Sequence, residues 1–374
     1  MTSKIFNQTK KNPFLMNYLL TESIVMLSIL QMFLSATTPS LKIFQIPVEL
    51  ALLSLLVYAC TTIKYDRWEV FLVWTFVFVT ALSFTTTTLP IIMVNAKQNG
   101  LAILVLLYFS KAGYKSRLIL PTFILTLSLV IVNMIVPGAL DPFIDKALMY
   151  DFNQSRFGGF FLNAHYNALF LATALIYYGH KRNLYFIGLP VIYITQSKYV
   201  LVAYFFSLIV KFKFINKLAK SRMILFILFI LFILFIYLLK DAVPDVVNYL
   251  ETRPFGLNLR SASIILLQLF DTSYYSIFLN PLPGELLGHP SDSVSQYNAL
   301  RHTGHIEIGY LYMASTFGIF LGSLYLYVFL KHALYYRTFV LIVLLHSYLI
   351  FTPLLIYMIL VYSRDIKHNQ LIKL

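Results

Sequence analysis

The sequence predicts an all-α polytopic integral membrane protein, with 11–12 transmembrane helices in one membrane domain spanning residues 1–374. Three observations predict it. The chain is 59% hydrophobic and 12% charged, whereas soluble domains carry roughly 25% charged residues. Apolar runs of about 18–22 residues recur along the whole length, and the short alternating segments of membrane strands are absent. Short basic clusters stand between the runs, which is the pattern of cytoplasmic anchoring. The net charge of +14 therefore reads as topology and not as a nucleic-acid surface. The single cysteine, Cys60, lies inside an apolar run, so no internal disulfide framework is expected.

The first run, Tyr18 to Ala36, follows Lys4, Lys10 and Lys11 and has no small-residue cleavage site, so it reads as a retained span. Further runs cover 45–63, 68–85, 91–110, 118–137, 159–178, 222–240, 305–330 and 338–362. The pieces at 184–195 and 199–210 are too short to cross about 30 Å and read as short helices around the polar break Gln196-Ser197-Lys198. The last run carries His346, Ser347 and Pro353, so it is either one kinked span or a broken pair. Lysine and arginine place the N-terminus inside, with the strongest anchor at Lys211 to Arg222. The tail, with Arg364, Lys367 and Lys373, also belongs inside, which favours twelve spans over eleven. Two loops then face outside, 138–159 and 241–304. No phosphate-cradling glycine loop, zinc-ligand helix or nucleophile elbow is present, so no cofactor is expected.

Three constellations are candidates for chemistry. The first runs from Arg156 through Gly158 and Gly159 to Asn163, His165 and Asn167. An arginine stands at the mouth of a span, the glycines allow close backbone approach, and Asn163 and Asn167 share one helix face. This is a candidate wall for a glycan or diphosphate; the alternative is hydrogen bonding between helices. The second is Arg253 to Ser261, where Arg253 and Arg260 precede a short apolar stretch that fits a helix lying on the membrane surface. Guanidinium groups grip phosphate oxygens in pairs without losing charge; the alternative is an arginine that anchors a loop helix to lipid headgroups. The third is Arg301-His302-Thr303-Gly304-His305-Ile306-Glu307-Ile308-Gly309-Tyr310, where the large loop returns to the membrane. Histidine suits general-base work, and Glu307 is placed to orient a ring. The spacing is not a known metal-ligand signature. A large polar loop late in such a chain suits an enzyme acting on a lipid-linked anionic substrate.

These residues, in this order, resemble the O-antigen polymerase and ligase superfamily of bacterial membrane glycosyltransferases, and within it the O-antigen polymerases. The elements that match are Arg156 to Asn167, the outside arginine Arg260 with Arg253 before it, and the segment His305 to Leu311 followed by Phe317-Gly318-Ile319. Pro283-Gly284 and Gly288 are similar to the family's Pro/Gly-rich loop centre. The chain departs from the family in having Ile264 and Ile265 where a tryptophan commonly follows the loop arginine, and no His-Asn pair at the return to the membrane.

The resemblance implies a GT-C-like bundle in the bacterial inner membrane, its active site facing the periplasm. There it would join oligosaccharide repeat units carried on undecaprenyl diphosphate. It implies that Arg156, Arg253, Arg260 and Arg301 bind the diphosphate. His305, or else His302, would be the catalytic base, with Glu307 in support. Asn163, His165, Asn167 and Tyr310 would contact glycan, no metal would be needed, and a chain-length regulator and a flippase would be partners. The alternatives are a ligase that moves glycan onto lipid A core and a flippase of the same pathway.

Overall fold

The computed structural model describes residues 13–35, 37–85, 89–143, 159–182, 185–195, 197–209, 309–310, 313, 317–345 and 349–371. The described residues form helices and no β-strand. In chain order the helices are α1 (Pro13–Leu34), α2 (Pro39–Lys42), α3 (Gln45–Thr61), α4 (Arg67–Ser83), α5 (Leu89–Lys111) and α6 (Ile119–Ile135). They continue with α7 (Ala164–Arg182), α8 (Tyr185–Ile194), α9 (Lys198–Ile209), α10 (Ile319–His332), α11 (Arg337–Val343) and α12 (Pro353–Leu371). Among the described residues two stretches, Leu15–Leu34 and Ser40–Thr61, are long and apolar enough to cross a membrane.

Local chemistry sets the element ends. Asp66 caps α4: its side chain accepts the Trp68 and Glu69 N–H groups while the Glu69 carboxylate accepts the Asp66 N–H. This capping box satisfies the exposed donors of the first turn. Several hydroxyls within the helices turn back on the preceding carbonyl, as Ser28 does on Ile24, Thr126 on Thr122 and Thr173 on Leu169, so these three bury no unmet donor. The break between α8 and α9 falls at the polar triplet, and Lys198 opens α9. The last apolar run is a broken pair: α11 ends at Val343, a 3₁₀ turn covers Leu349–Phe351, and Pro353 opens α12, a position where its missing N–H costs nothing.

The run 305–330 is not one unbroken helix. Gly318 has φ 72, which glycine adopts without strain, and α10 starts only after it. Residues 222–240 and the loop 241–304 lie outside the described residues.

α12 and α7 form the centre. Leu354 to Tyr362 are buried on every side of α12, and Ala168 to Ala172 are fully buried on α7. A helix that is apolar all round belongs in the interior. Tyr177 and Tyr362 stack with ring centroids 4.0 Å apart, and Tyr336 donates to the Thr173 carbonyl at 2.8 Å. The far end of α12 is tied to the turn after α5: Tyr357 accepts from the Ser116 N–H and donates to the Tyr114 carbonyl, while Arg364 donates to the Ala112 and Gly113 carbonyls. The outer faces carry large apolar side chains, including Ile46, Trp74, Phe78 and Ile135.

Candidate functional site

The turn that leads into α7 is held from several sides. Asn163 caps the helix, its Oδ1 accepting the His165 N–H at 2.8 Å and the Tyr166 N–H at 3.2 Å. Asn167 is fully buried; its Oδ1 accepts the Phe161 N–H and its Nδ2 donates to the Asn163 carbonyl. The two asparagines thus share one face, and both spend hydrogen bonds on shaping the turn. Just before Asn163, Leu162 has φ 55, a left-handed conformation that costs a branched side chain roughly 1–2 kcal/mol. Gly159 is equally constrained, since a Cβ there would meet Val130 Cγ2 at 2.7 Å, the Thr126 carbonyl at 2.9 Å and Asn167 Oδ1 at 3.0 Å. His165 points elsewhere. Its Nδ1 lies 3.1 Å from Ser197 Oγ and its ring tilts against Tyr199, joining α7 to the start of α9.

Beside this turn is a cavity of about 280 Å³. Tyr166 stands on one wall, Met313 and Phe317 on another, and Phe351, Thr352 and Pro353 on a third. The rest of the lining mixes Met32, Leu101 and Ala102 with a polar group: Gln31 and Ser35 at the end of α1, Gln45 and Glu49 of α3, and Lys97, Gln98 and Asn99 of α5. Glu49 Oε1 accepts from Gln45 Nε2 at 2.8 Å and from Gln31 Nε2 at 3.4 Å, and Oε2 pairs with Lys97 Nζ at 2.7 Å. The Glu49 side chain is 11% exposed and Lys97 51%, so the carboxylate lies deep and the ammonium stands at the mouth. Tyr310 lies nearby in the chain from Met313; its N–H donates to the Leu344 carbonyl and its hydroxyl to the Leu341 carbonyl at 3.1 Å.

A second charged cluster closes the opposite end of the bundle. Lys331 reaches Asp66 at 2.9 Å and Lys111 reaches it at 3.4 Å. Glu69 is fully buried and meets Lys111 at 3.2 Å, Ser110 Oγ at 3.1 Å and His332 Nε2 at 3.6 Å. Burial alone would raise the Asp66 carboxyl, but the Lys331 hydrogen bond, the Glu69 N–H and the two lysine charges hold it well below the usual carboxylate range. Asp66, Glu69 and His332 offer ligand atoms within 4.8 Å of one another. Two ammonium groups already neutralise those carboxylates, so the arrangement suits a clamp on α4, α5 and α10 better than a cation.

Of the residues that the sequence singles out, Asn163, His165, Asn167 and Tyr310 are described. Arg156, Arg253, Arg260, Arg301, His302, His305 and Glu307 lie outside the described residues. Sequence reasoning passed over Gln31, Gln45, Glu49 and Lys97. Their signal was present: Gln45 and Glu49 stand one helical turn apart at the head of an apolar run, and Lys97-Gln98-Asn99 interrupts another. Compared with protein-family models, curated proteins and solved structures, the chain matches none of them.

Proposed function

We propose that the chain is a polytopic inner-membrane glycosyltransferase that polymerises a surface glycan from repeat units carried on undecaprenyl diphosphate, at the periplasmic face. One observation carries the reading. The cavity of about 280 Å³ draws Tyr166 from the first of the segments behind the family resemblance, and Met313 and Phe317 from the stretch that ends the last. Two stretches some 150 positions apart in sequence thus meet at one hollow, mostly apolar with a polar side. The apolar outer faces of α3, α4 and α6 suit lipid contact. With the N-terminus inside, the same orientation puts the hollow on the periplasmic side, where lipid-linked repeat units are displayed.

In this mechanism the acceptor hydroxyl loses its proton to His305, or to His302, with Glu307 holding the ring. The hydroxyl oxygen bonds to the anomeric carbon of the donor sugar as the bond from that carbon to the diphosphate oxygen breaks. The electron pair leaves with undecaprenyl diphosphate, and Arg156, Arg253, Arg260 and Arg301 stabilise the charge that builds there. Fixed guanidinium charges do the work that a divalent ion would do, so turnover is insensitive to EDTA. Asn163 and Asn167 hold the turn that presents Tyr166, and His165 fixes that turn to α9.

The test is deletion in the host, with restoration by wild type or Arg260→Ala at matched protein level and surface polysaccharide resolved on a gel. The expected result is a single repeat unit on core lipid in the deletion strain and in the mutant, and a full ladder with wild type. Core lipid bare of any unit would point to a ligase or flippase instead. An unchanged ladder on deletion would overturn the proposal.

A further inference from the structure

We infer that the Glu49–Lys97 wall of the cavity is a subsite for the sugar portion of the substrate, an uncharged polyhydroxyl group, separate from the arginines assigned to the diphosphate. The inference rests on the glycosyltransferase reading above. Its own support is the hydrogen-bond inventory of the wall. An ionised carboxylate offers about four acceptor sites. On Glu49, Oε1 takes Gln31 and Gln45, and Oε2 takes Lys97. One acceptor position therefore remains on Oε2, beside the ammonium. Lys97 has three donors, and its side chain is half exposed at the mouth. An acceptor and a donor held 2.7 Å apart match two neighbouring sugar hydroxyls, one donating to Glu49 and the other accepting from Lys97.

Two further features agree. Thr352 Oγ1 is shielded from solvent and has no hydrogen-bond partner among the described residues, although it borders the cavity; buried hydroxyls normally find one. Tyr166, Phe317 and Phe351 supply apolar faces for the C–H side of a sugar ring. Charge argues against the diphosphate itself. One carboxylate and one ammonium cancel, and a phosphate brought against Glu49 would meet a like charge in a site shielded from water. The volume sits at the lower edge of the ~300–1,000 Å³ usual for small-molecule sites, which suits a ring or two and not a whole repeat unit.

The test uses full-length protein in lipid nanodiscs and two probes: repeat-unit lipid extracted from the deletion strain, and undecaprenyl diphosphate without sugar. Binding is measured for wild type, Glu49→Gln, Lys97→Met and the exchanged pair Glu49→Lys with Lys97→Glu, with thermal melts as the control for folding. Wild type is expected to bind the repeat-unit lipid more tightly than undecaprenyl diphosphate. Each single variant should weaken repeat-unit binding about ten-fold or more, the effect of losing a charged hydrogen bond, and leave undecaprenyl diphosphate binding unchanged. The exchanged pair should not restore it, because it moves the acceptor to the mouth. Wild-type binding by either single variant, or full rescue by the exchanged pair, overturns the subsite and leaves Glu49–Lys97 a structural pair. Equal loss for both probes also overturns it. Wild type that binds both probes equally removes the subsite alone, whereas wild type that binds neither removes the glycosyltransferase reading as well.

Discussion

Two lysine–carboxylate clusters sit toward opposite ends of α5, built from the same residue types and put to different use. At one end Lys97 meets Glu49; fourteen positions later Lys111 meets Asp66 and Glu69, about 21 Å along the helix axis. The second cluster is closed. Glu69 is wholly buried, and its oxygens are met by Ser110, Lys111, the Asp66 N–H and, at 3.6 Å, His332. The first cluster is open. Its carboxylate faces a cavity, its lysine is half exposed, and the Gln31 and Gln45 amides that fix the carboxylate line the same cavity. Closure converts charge into helix-to-helix adhesion. Openness leaves unspent donors and acceptors for something to bind.

The comparison predicts unequal losses of stability at the two carboxylates, and the largest effect is at Glu69. Glu69→Ala leaves Lys111 only Asp66 at 3.4 Å, takes the acceptor from Ser110 and removes half of the capping box on α4, so it should lower unfolding stability by about 2–3 kcal/mol, the scale for hydrogen bonds to a charged group. Glu49→Gln keeps shape and amide contacts and should cost under about 1 kcal/mol. Chemical unfolding of the two purified variants beside wild type measures both. If Glu49→Gln proves the more damaging of the two, the open cluster is the structural one and the distinction collapses.

The next effect is at the turn bordering the cavity. Gly159→Ala would press a methyl against Val130, the Thr126 carbonyl and Asn167, an overpacking cost of about 1–3 kcal/mol. It should also displace Tyr166, so repeat-unit binding falls along with the melting temperature. A variant with normal stability and normal binding would show that the turn tolerates movement and does not set the cavity wall.

Much of this was legible from local pattern, and the rest was not for a definable reason. Pro353, inside the last run, marked its break, and Gln196-Ser197-Lys198 marked the gap between α8 and α9. Asn163 and Asn167, four positions apart, meet through the Asn167 Nδ2 bond to the Asn163 carbonyl, but Asn163 stands before α7 as its cap and both side chains serve the backbone of the turn. All of these are interactions within a few positions of each other. Glu49 and Lys97 are 48 positions apart, and no periodicity connects them. Each lies inside a different apolar run, where the local pattern gives neither a partner. Gly318 was missed differently: apolar composition continues across it, and only the backbone angle reveals the break.

The smallest effect separates charge from cap geometry in the closed cluster. Asparagine caps helices about as well as aspartate, so Asp66→Asn keeps the acceptors for Trp68 and Glu69 and removes the ion pairs with Lys331 and Lys111. The Asp66 side chain is 30% exposed, so screening limits the loss to about 0.5–1 kcal/mol. Its sign with pH follows from the depressed carboxyl. The stabilising contribution is fully present above the unfolded aspartate value of about 3.9 and is lost as pH falls through the lower folded value. Melting curves of wild type and Asp66→Asn should therefore differ at pH 6 to 7 and converge as the pH drops below about 4. A gap that stayed constant down to pH 3 would mean that Asp66 acts through geometry alone. The closed cluster would then owe its strength to Glu69 and not to its balance of charges.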